Sequence, residues 1–303
     1  DGSVTVWCGE IENMYHTKGM AGYTLYPGKA YVELSGRLYN PTEMPQTFLW
    51  WANPAVSVND NTKTILPPDV NEVLDQNKRS ASKFPVATGT YYNVDYSAGV
   101  DISEYKNIPV PTSYMVKKSE FDFIGNYDFG KNAGFIHIAD HNISPGKKYW
   151  TWGSGDFGNT WIHNLTDNSG AYAELMAGVF TENQSDFSFI MPYEEKTFKQ
   201  YFMPYKAVGE VKKASLDLIV NFEVKNGKAH MIIYAPAEIA INILVSGSSA
   251  VSYLKESAVV SPVRIYETEI DLDDDEIETS VRLVIKDKNG KELMRCVPTA
   301  KTG

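Results

Sequence analysis

Cysteine is nearly absent. The 303 residues hold two, Cys8 and Cys296, near opposite ends of the chain. A pair so placed gives neither a disulfide framework nor a thiolate metal site, and two free thiols are expected. Basic residues are also few, 28 Lys and Arg against 38 Asp and Glu, for a net charge of −10. That balance argues against non-specific binding to nucleic acid or to an anionic membrane, which reward cationic surfaces, and leaves a neutral ligand such as a sugar open. No stretch approaches the about 18 consecutive apolar residues of a membrane helix, so no membrane span is expected. No signal peptide is visible, and Asp1 in place of an initiator methionine is read as the mark of a processed or excised chain. The compartment is left open, with a periplasmic or extracellular setting favoured over a cytoplasmic one.

Helix signals are scarce too. "PPDVNEVLDQNKRSASKF" is expected to hold a helical turn or two after Pro68, although it is rich in Asn, Ser and Asp. No glycine-rich loop follows a strand and opens a helix, and no Gly-x-Ser-x-Gly elbow occurs, which excludes the usual nucleotide and serine-hydrolase sites. His137 and His141 are spaced His-x-x-x-His, but in a segment that reads as a strand rather than a helix, so the spacing does not support zinc. "GNTWIHNLTDNSG" is rich enough in oxygen to be considered for calcium; no other cofactor is expected.

Strand patterning is what remains. "KAYVELSGRLYN" alternates with period two, and "TFLWWANPAVSV", "AGFIHIAD" and "GAYAELMAGVF" read similarly. Of 38 aromatic residues only Phe222, Tyr234, Tyr253 and Tyr266 follow residue 210. A boundary is therefore placed in "AVGEVKKAS", giving a β-sandwich over 1–210 and a smaller one over 211–303. The second part reads as hairpins turning at Asn226-Gly227 and Asn289-Gly290, a small sandwich immunoglobulin-like in architecture only. "DLDDDEIE" lacks the glycine and final glutamate of a calcium loop and is read as a solvated turn. In the first part the segments between strands are long, 59–113 above all. Long loops on a rigid sandwich tend to carry binding residues, and Arg79 is placed among them.

Candidate chemistry is densest from 135 to 205. On period two Tyr172, Glu174 and Met176 share one strand face, with Ala173, Leu175 and Ala177 on the core face. A carboxyl group in so apolar a run is expected to have a raised pKa suited to acid–base work, unless a neighbouring cation or backbone amides hold it as a structural group. "YWTWGSGDFGNTWIHNLTD" is read as an aromatic loop after a strand, with Gly153, Gly155 and Gly158 letting it approach a ligand. Its Trp150, Trp152 and Trp161 offer platforms for the C–H face of a sugar, and Asp156, His163, Asp167 and Tyr172 offer hydroxyl partners. Core packing of these indoles is the competing reading. His137 is assigned to the strand interior, while His141 beside Asp140 and His163 beside Asp167 are acid–base candidates.

Together these segments, with "FPVATGTYYNVDYSAGVDISEYKNIPVPTSYM", resemble a bacterial family of unknown activity with a galactose-mutarotase-like supersandwich, often joined to tetratricopeptide repeats. The resemblance covers nearly the whole chain. It implies an all-β fold and a carbohydrate ligand. It also implies a further β-rich segment upstream of Asp1, so that an upstream segment or a partner is expected to complete the sandwich. No catalytic motif of the wider fold group aligns, so no residue role is carried over. Three functions follow. A glycoside hydrolase would pair Glu174 with a second carboxyl group from Asp140, Asp156, Asp167, Glu182 or Glu194 in an aromatic-lined cleft. An epimerase or mutarotase would pair it with His141 or His163. A non-catalytic module would bind glycan or protein.

Overall fold

The computed structural model describes residues 2–298 apart from Asn168, Ser249, Ala250, Asp274, Asp275 and Ile277, and of Glu278 only the backbone. The acidic run 271–278 thus lies partly outside the described residues; Asp273 and Glu276 within it accept hydrogen bonds from the Tyr253 hydroxyl.

Period-two segments in the first 206 residues form two antiparallel sheets. One runs in the order Val4–Ile11, Lys18–Leu25, Val32–Tyr39, Glu195–Lys206, Ala133–Ala139, Phe123–Asp128, Thr62–Ile65. The other runs Trp51–Ala52, Tyr172–Gly178, Gly146–Thr151, Thr112–Val116, Glu72–Leu74, Ala81–Lys83, with Ala55–Ser57 also paired to Tyr172–Gly178. Between the sheets lies a core that includes Val56, Ile124, Tyr114, Tyr149, Ala173 and Leu175. Polar ties cross it, two of them to Tyr172–Gly178. His137 Nδ1 lies 2.8 Å from the Leu175 carbonyl oxygen, and Gln200 Nε2 donates to that of Ala177 at 3.2 Å. His137 and Gln200 are almost wholly buried, so each tie satisfies a polar group that would otherwise be costly inside the sandwich.

The segment 59–113 is not one long loop. It is broken into short strands and folded over the second sheet around Tyr91, Tyr96 and Tyr105. The helical turn expected after Pro68 is absent among the described residues. Glu72–Leu74 and Ala81–Lys83 pair there instead, around a turn in which the Asp75 carboxylate accepts from the amides of Arg79 and Ser80. Tertiary pairing has overridden local propensity at a segment too poor in helix formers to resist. "TFLWWANPAVSV" likewise divides into three short strands. Trp51 explains one edge: a Cβ at Gly178 would meet its indole at 2.5 Å, and one at the cross-strand partner Gly146 at 2.7 Å.

Residues 213–296 form two four-stranded antiparallel sheets around a second core. Asn226 and Gly227 both take positive φ, the type I′ geometry expected of that dipeptide. At Asn289-Gly290 only the glycine does. The Asp287 carboxylate accepts from the amides of Asn289 and Lys291, and a bulge shifts the register between Ile285 and Lys286. A longer turn with a bulge therefore replaces the two-residue one. A third apolar cluster joins the units through Tyr127, Met203, Tyr205, Val211, Ile219 and Tyr234. Cys8 is exposed, Cys296 is buried, and both are free thiols. No helix among the described residues is long and apolar enough to cross a membrane.

Two outcomes follow. Gly178→Ala forces the indole of Trp51 aside and costs about 1–3 kcal/mol, read as a lowered urea midpoint with altered tryptophan fluorescence. Burial pushes His137 down to about 4 from an ordinary 6.5. The folded state then binds fewer protons than the unfolded one, so His137's contribution is complete above pH about 6.5 and is lost as pH falls toward 4. Urea midpoints measured from pH 7 to 5 should fall less steeply in His137→Gln than in the parent.

Candidate functional site

Cross-strand partners in an antiparallel ladder share a face. Gly146–Thr151 pairs with Tyr172–Gly178 so that Trp150 faces Glu174 and Lys148 faces Met176. On the other side Ser113 faces Trp150 and Met115 faces Lys148. Tyr149, Leu175 and Ala173 point into the core, so Ser113, Lys148, Trp150 and Glu174 stand together on the outer face of the second sheet.

This face is covered at one end and bare at the other. Lys148 is only 2% exposed. Its ammonium donates to Gln76 Oε1 at 3.1 Å and to Gln184 Oε1. Burial pushes it down to about 8, with Glu174 pulling the other way. Glu174 is half-buried; burial raises its pKa above the ordinary carboxyl range, and Lys148 partly offsets this. Tyr92 sits at the tip of a tight turn with positive φ at both Tyr92 and Asn93, and its hydroxyl lies 2.6 Å from Ser113 Oγ.

The bare end is aromatic. Trp150 and Trp152 meet edge to face at 4.8 Å, and Trp152 stacks on Trp161 at 5.5 Å and 11°. Tyr172 stands 6.4 Å from Trp150 and accepts a hydrogen bond from Trp152 Nε1 at 3.1 Å. Phe157 continues the row at 6.3 Å from Trp161.

Trp161 arrives there on a helix, Asp156–Thr166, where the sequence reading placed a loop. The three glycines seat that helix against backbone rather than against a ligand. A Cβ at Gly155 would lie 2.3 Å from the Pro109 carbonyl oxygen and one at Gly158 2.4 Å from that of Trp152, while Gly153 turns with φ +83°. Ile162 faces inward, and Phe157, Trp161 and Leu165, four residues apart, form an exposed stripe. Residues 158–166 of the segment considered for calcium are helical rather than looped; Asn168 lies outside the described residues.

Glu174, Trp150, Trp152, Trp161 and Tyr172 are thus brought together, and the other candidates are not. His163 is two residues from Trp161 on the helix, which turns it to roughly the opposite side, and it is exposed. Asp156 and Asp167 stand exposed at the two ends of the helix. Asp140 lines a groove of about 660 Å³ on the outer face of the other sheet, with Trp7, Lys199 and Tyr201, so the whole sandwich separates it from Glu174. There its carboxylate accepts from the amide and side chain of Asn142. His141 next to it bonds Asp122 at 2.7 Å, not Asp140. Asp122, Asp140 and His141 bring their ligand atoms within 4.8 Å of one another over the buried Lys147, whose ammonium is drawn to Asp122, Asp69, Asp140 and Glu120. Glu194 caps a turn, accepting from the Met191 amide at 2.6 Å and from Lys196 at 2.8 Å. Glu182 is exposed beyond the end of its strand. Arg79 is an exposed turn residue beside Asp75; Gln76 of the same turn is the residue that reaches the site. The charged neighbour that Glu174 feels is therefore an ammonium group, and the second carboxyl group that the hydrolase reading requires is not supplied by these candidates.

A family model described as "Domain of unknown function (DUF5107)" matches residues 1–208, and one described as "YphG-like protein, second domain" matches 213–296. The chain belongs to the DUF5107 family. Solved structures similar to it include a TPR-domain containing protein from Parabacteroides distasonis, 24% identical with a TM-score of 0.55, over 67% of this chain and 33% of that one. The Slr1438 protein from Synechocystis is 10% identical with a TM-score of 0.47, over 67% and 62%. A galactose mutarotase-like protein from Clostridium acetobutylicum is 14% identical with a TM-score of 0.42, over 67% and 62%. The chain thus spans about a third of the first protein and less than two thirds of the other two. The expected all-β architecture, a sandwich followed by a second β unit, is the one seen.

Lys148→Met removes the nearby positive charge that favours ionised Glu174. The Glu174 titration midpoint, followed by its ¹³C carboxyl shift, should move further up; an unchanged midpoint would mean that burial alone sets it.

Proposed function

We propose that the DUF5107 unit binds a carbohydrate on the outer face of its second sheet. The observation that carries this reading is the row of Tyr172, Trp150, Trp152 and Trp161 beside a half-buried Glu174. Indole faces suit the C–H face of a pyranose, and a carboxyl group with a raised pKa can both donate to and accept from sugar hydroxyls. The Ser113 and Tyr92 hydroxyls lie on the same face, Ser113 directly across the ladder from Trp150.

A second reading concerns chemistry at that face. A carboxyl group held above its ordinary pKa is a candidate for proton transfer, and burial raises Glu174 in this way. With an ammonium neighbour in place of a second carboxylate, proton transfer of the epimerase or mutarotase kind fits better than glycosidic hydrolysis, which needs two carboxyl groups about 5–9.5 Å apart.

Calorimetry against a panel of neutral saccharides tests the first reading. Trp150→Ala and Trp161→Ala should each weaken binding by about tenfold, the equivalent of about 1.4 kcal/mol, without lowering thermal stability to match. Binding that survives both changes would overturn it. Polarimetry on reducing sugars, with Glu174→Gln as the control, tests the second; release of sugar from a polymer without anomer interconversion would favour hydrolysis instead.

A further inference from the structure

The helix Asp156–Thr166 presents more apolar surface than one sugar can use. Phe157, Trp161 and Leu165 are 58%, 41% and 54% exposed, and eight residues of helix separate the first from the last, about 12 Å. Monomeric proteins rarely leave such a stripe uncovered without a use for it. The stripe continues the site: Trp161 stacks on Trp152, which meets Trp150 opposite Glu174. It is held rigidly, because the glycine contacts with the Pro109 and Trp152 carbonyl groups fix the helix on the sheet. Charge narrows the class of occupant. From Tyr149 to Gly178 the charged side chains are three acids, Asp156, Asp167 and Glu174. The lysine near Glu174 on this face, Lys148, is buried and engaged by two glutamines. An anionic polymer would meet repulsion here and no exposed cation on these elements.

We infer that the ligand is a neutral oligosaccharide chain of several units, seated at one end on Trp150 and Glu174 and running out along the Phe157–Trp161–Leu165 stripe. This rests on the carbohydrate reading above and adds the ligand's length and charge to it. The stripe supplies area for successive rings, each contributing a modest stacking term, so affinity accumulates with chain length rather than residing in one subsite.

Calorimetry with neutral glucan and galactan fragments from one to six units, and with oligogalacturonates as the acidic control, tests it. Affinity should rise by about tenfold or more from the monosaccharide to the tetrasaccharide, about 1.4 kcal/mol. Phe157→Ser with Leu165→Ser, both exposed positions, should abolish that gain and leave monosaccharide affinity unchanged. Circular dichroism confirms that the variant stays folded. Affinity independent of length, or a gain that survives the double variant, overturns the inference while leaving the carbohydrate reading intact. Preference for the oligogalacturonates overturns the assignment of a neutral ligand. Failure of every saccharide to bind the parent protein overturns both the inference and the reading beneath it.

Discussion

A slip of one residue of Tyr172–Gly178 against Gly146–Thr151 would turn Glu174 into the core and set Leu175 in water. That register is what the outer face depends on. Several contacts fix it. Tyr149 stacks on Tyr114 inside the sandwich, and the backbone carbonyls of Leu175 and Ala177 are engaged from the opposite sheet by His137 and Gln200. Trp51 lies over Gly146 and Gly178, which face each other at the end of the ladder. Apolar side chains push one face inward, and the polar ties discriminate against its neighbours in register.

The electrostatics of the face follow from that placement. Glu174 and Lys148 are two residues of ladder apart, near enough to influence each other, while Lys148's short hydrogen-bonding contacts go to glutamines. A carboxylate bonded directly to an ammonium would be ionised and spent. One that only feels the charge, while burial opposes ionisation, is held above the ordinary carboxyl range. The glutamines thus keep the lysine satisfied without neutralising it.

How much of this was legible in the sequence depends on period. Tyr172, Glu174 and Met176 stood out because a carboxylate interrupts a period-two apolar strand, and the strand formed with that alternation. The tryptophans stood out by number. Lys148 did not: "KK" after "SPG" reads as a solvated turn, and nothing local reveals that each lysine becomes buried on a different face of one strand. Ser113 and Tyr92 reach the face only through non-local pairing. The helix was missed because "DFGNTWIHNLT" is poor in helix formers, and what stabilises it is Ile162 packing and glycine contacts with distant carbonyl groups. Asp140 and His141 stand apart for the opposite reason. They fall within the dense region in sequence, but the strand before them belongs to the other sheet.

Lys147 and Lys148 have a consequence of their own. Two consecutive amines, both 2% exposed, leave the surface in opposite directions from one strand. Burial makes both weaker bases than a surface lysine, so more of each is unprotonated near neutral pH, yet neither is reachable in the native fold. Acylating reagents therefore meet them only when the sandwich opens. The dipeptide acts as an internal recorder of opening events: one amine reports loss of the inner layer and the other loss of the loop that covers the outer one, so that the two layers can be timed separately within a single peptide.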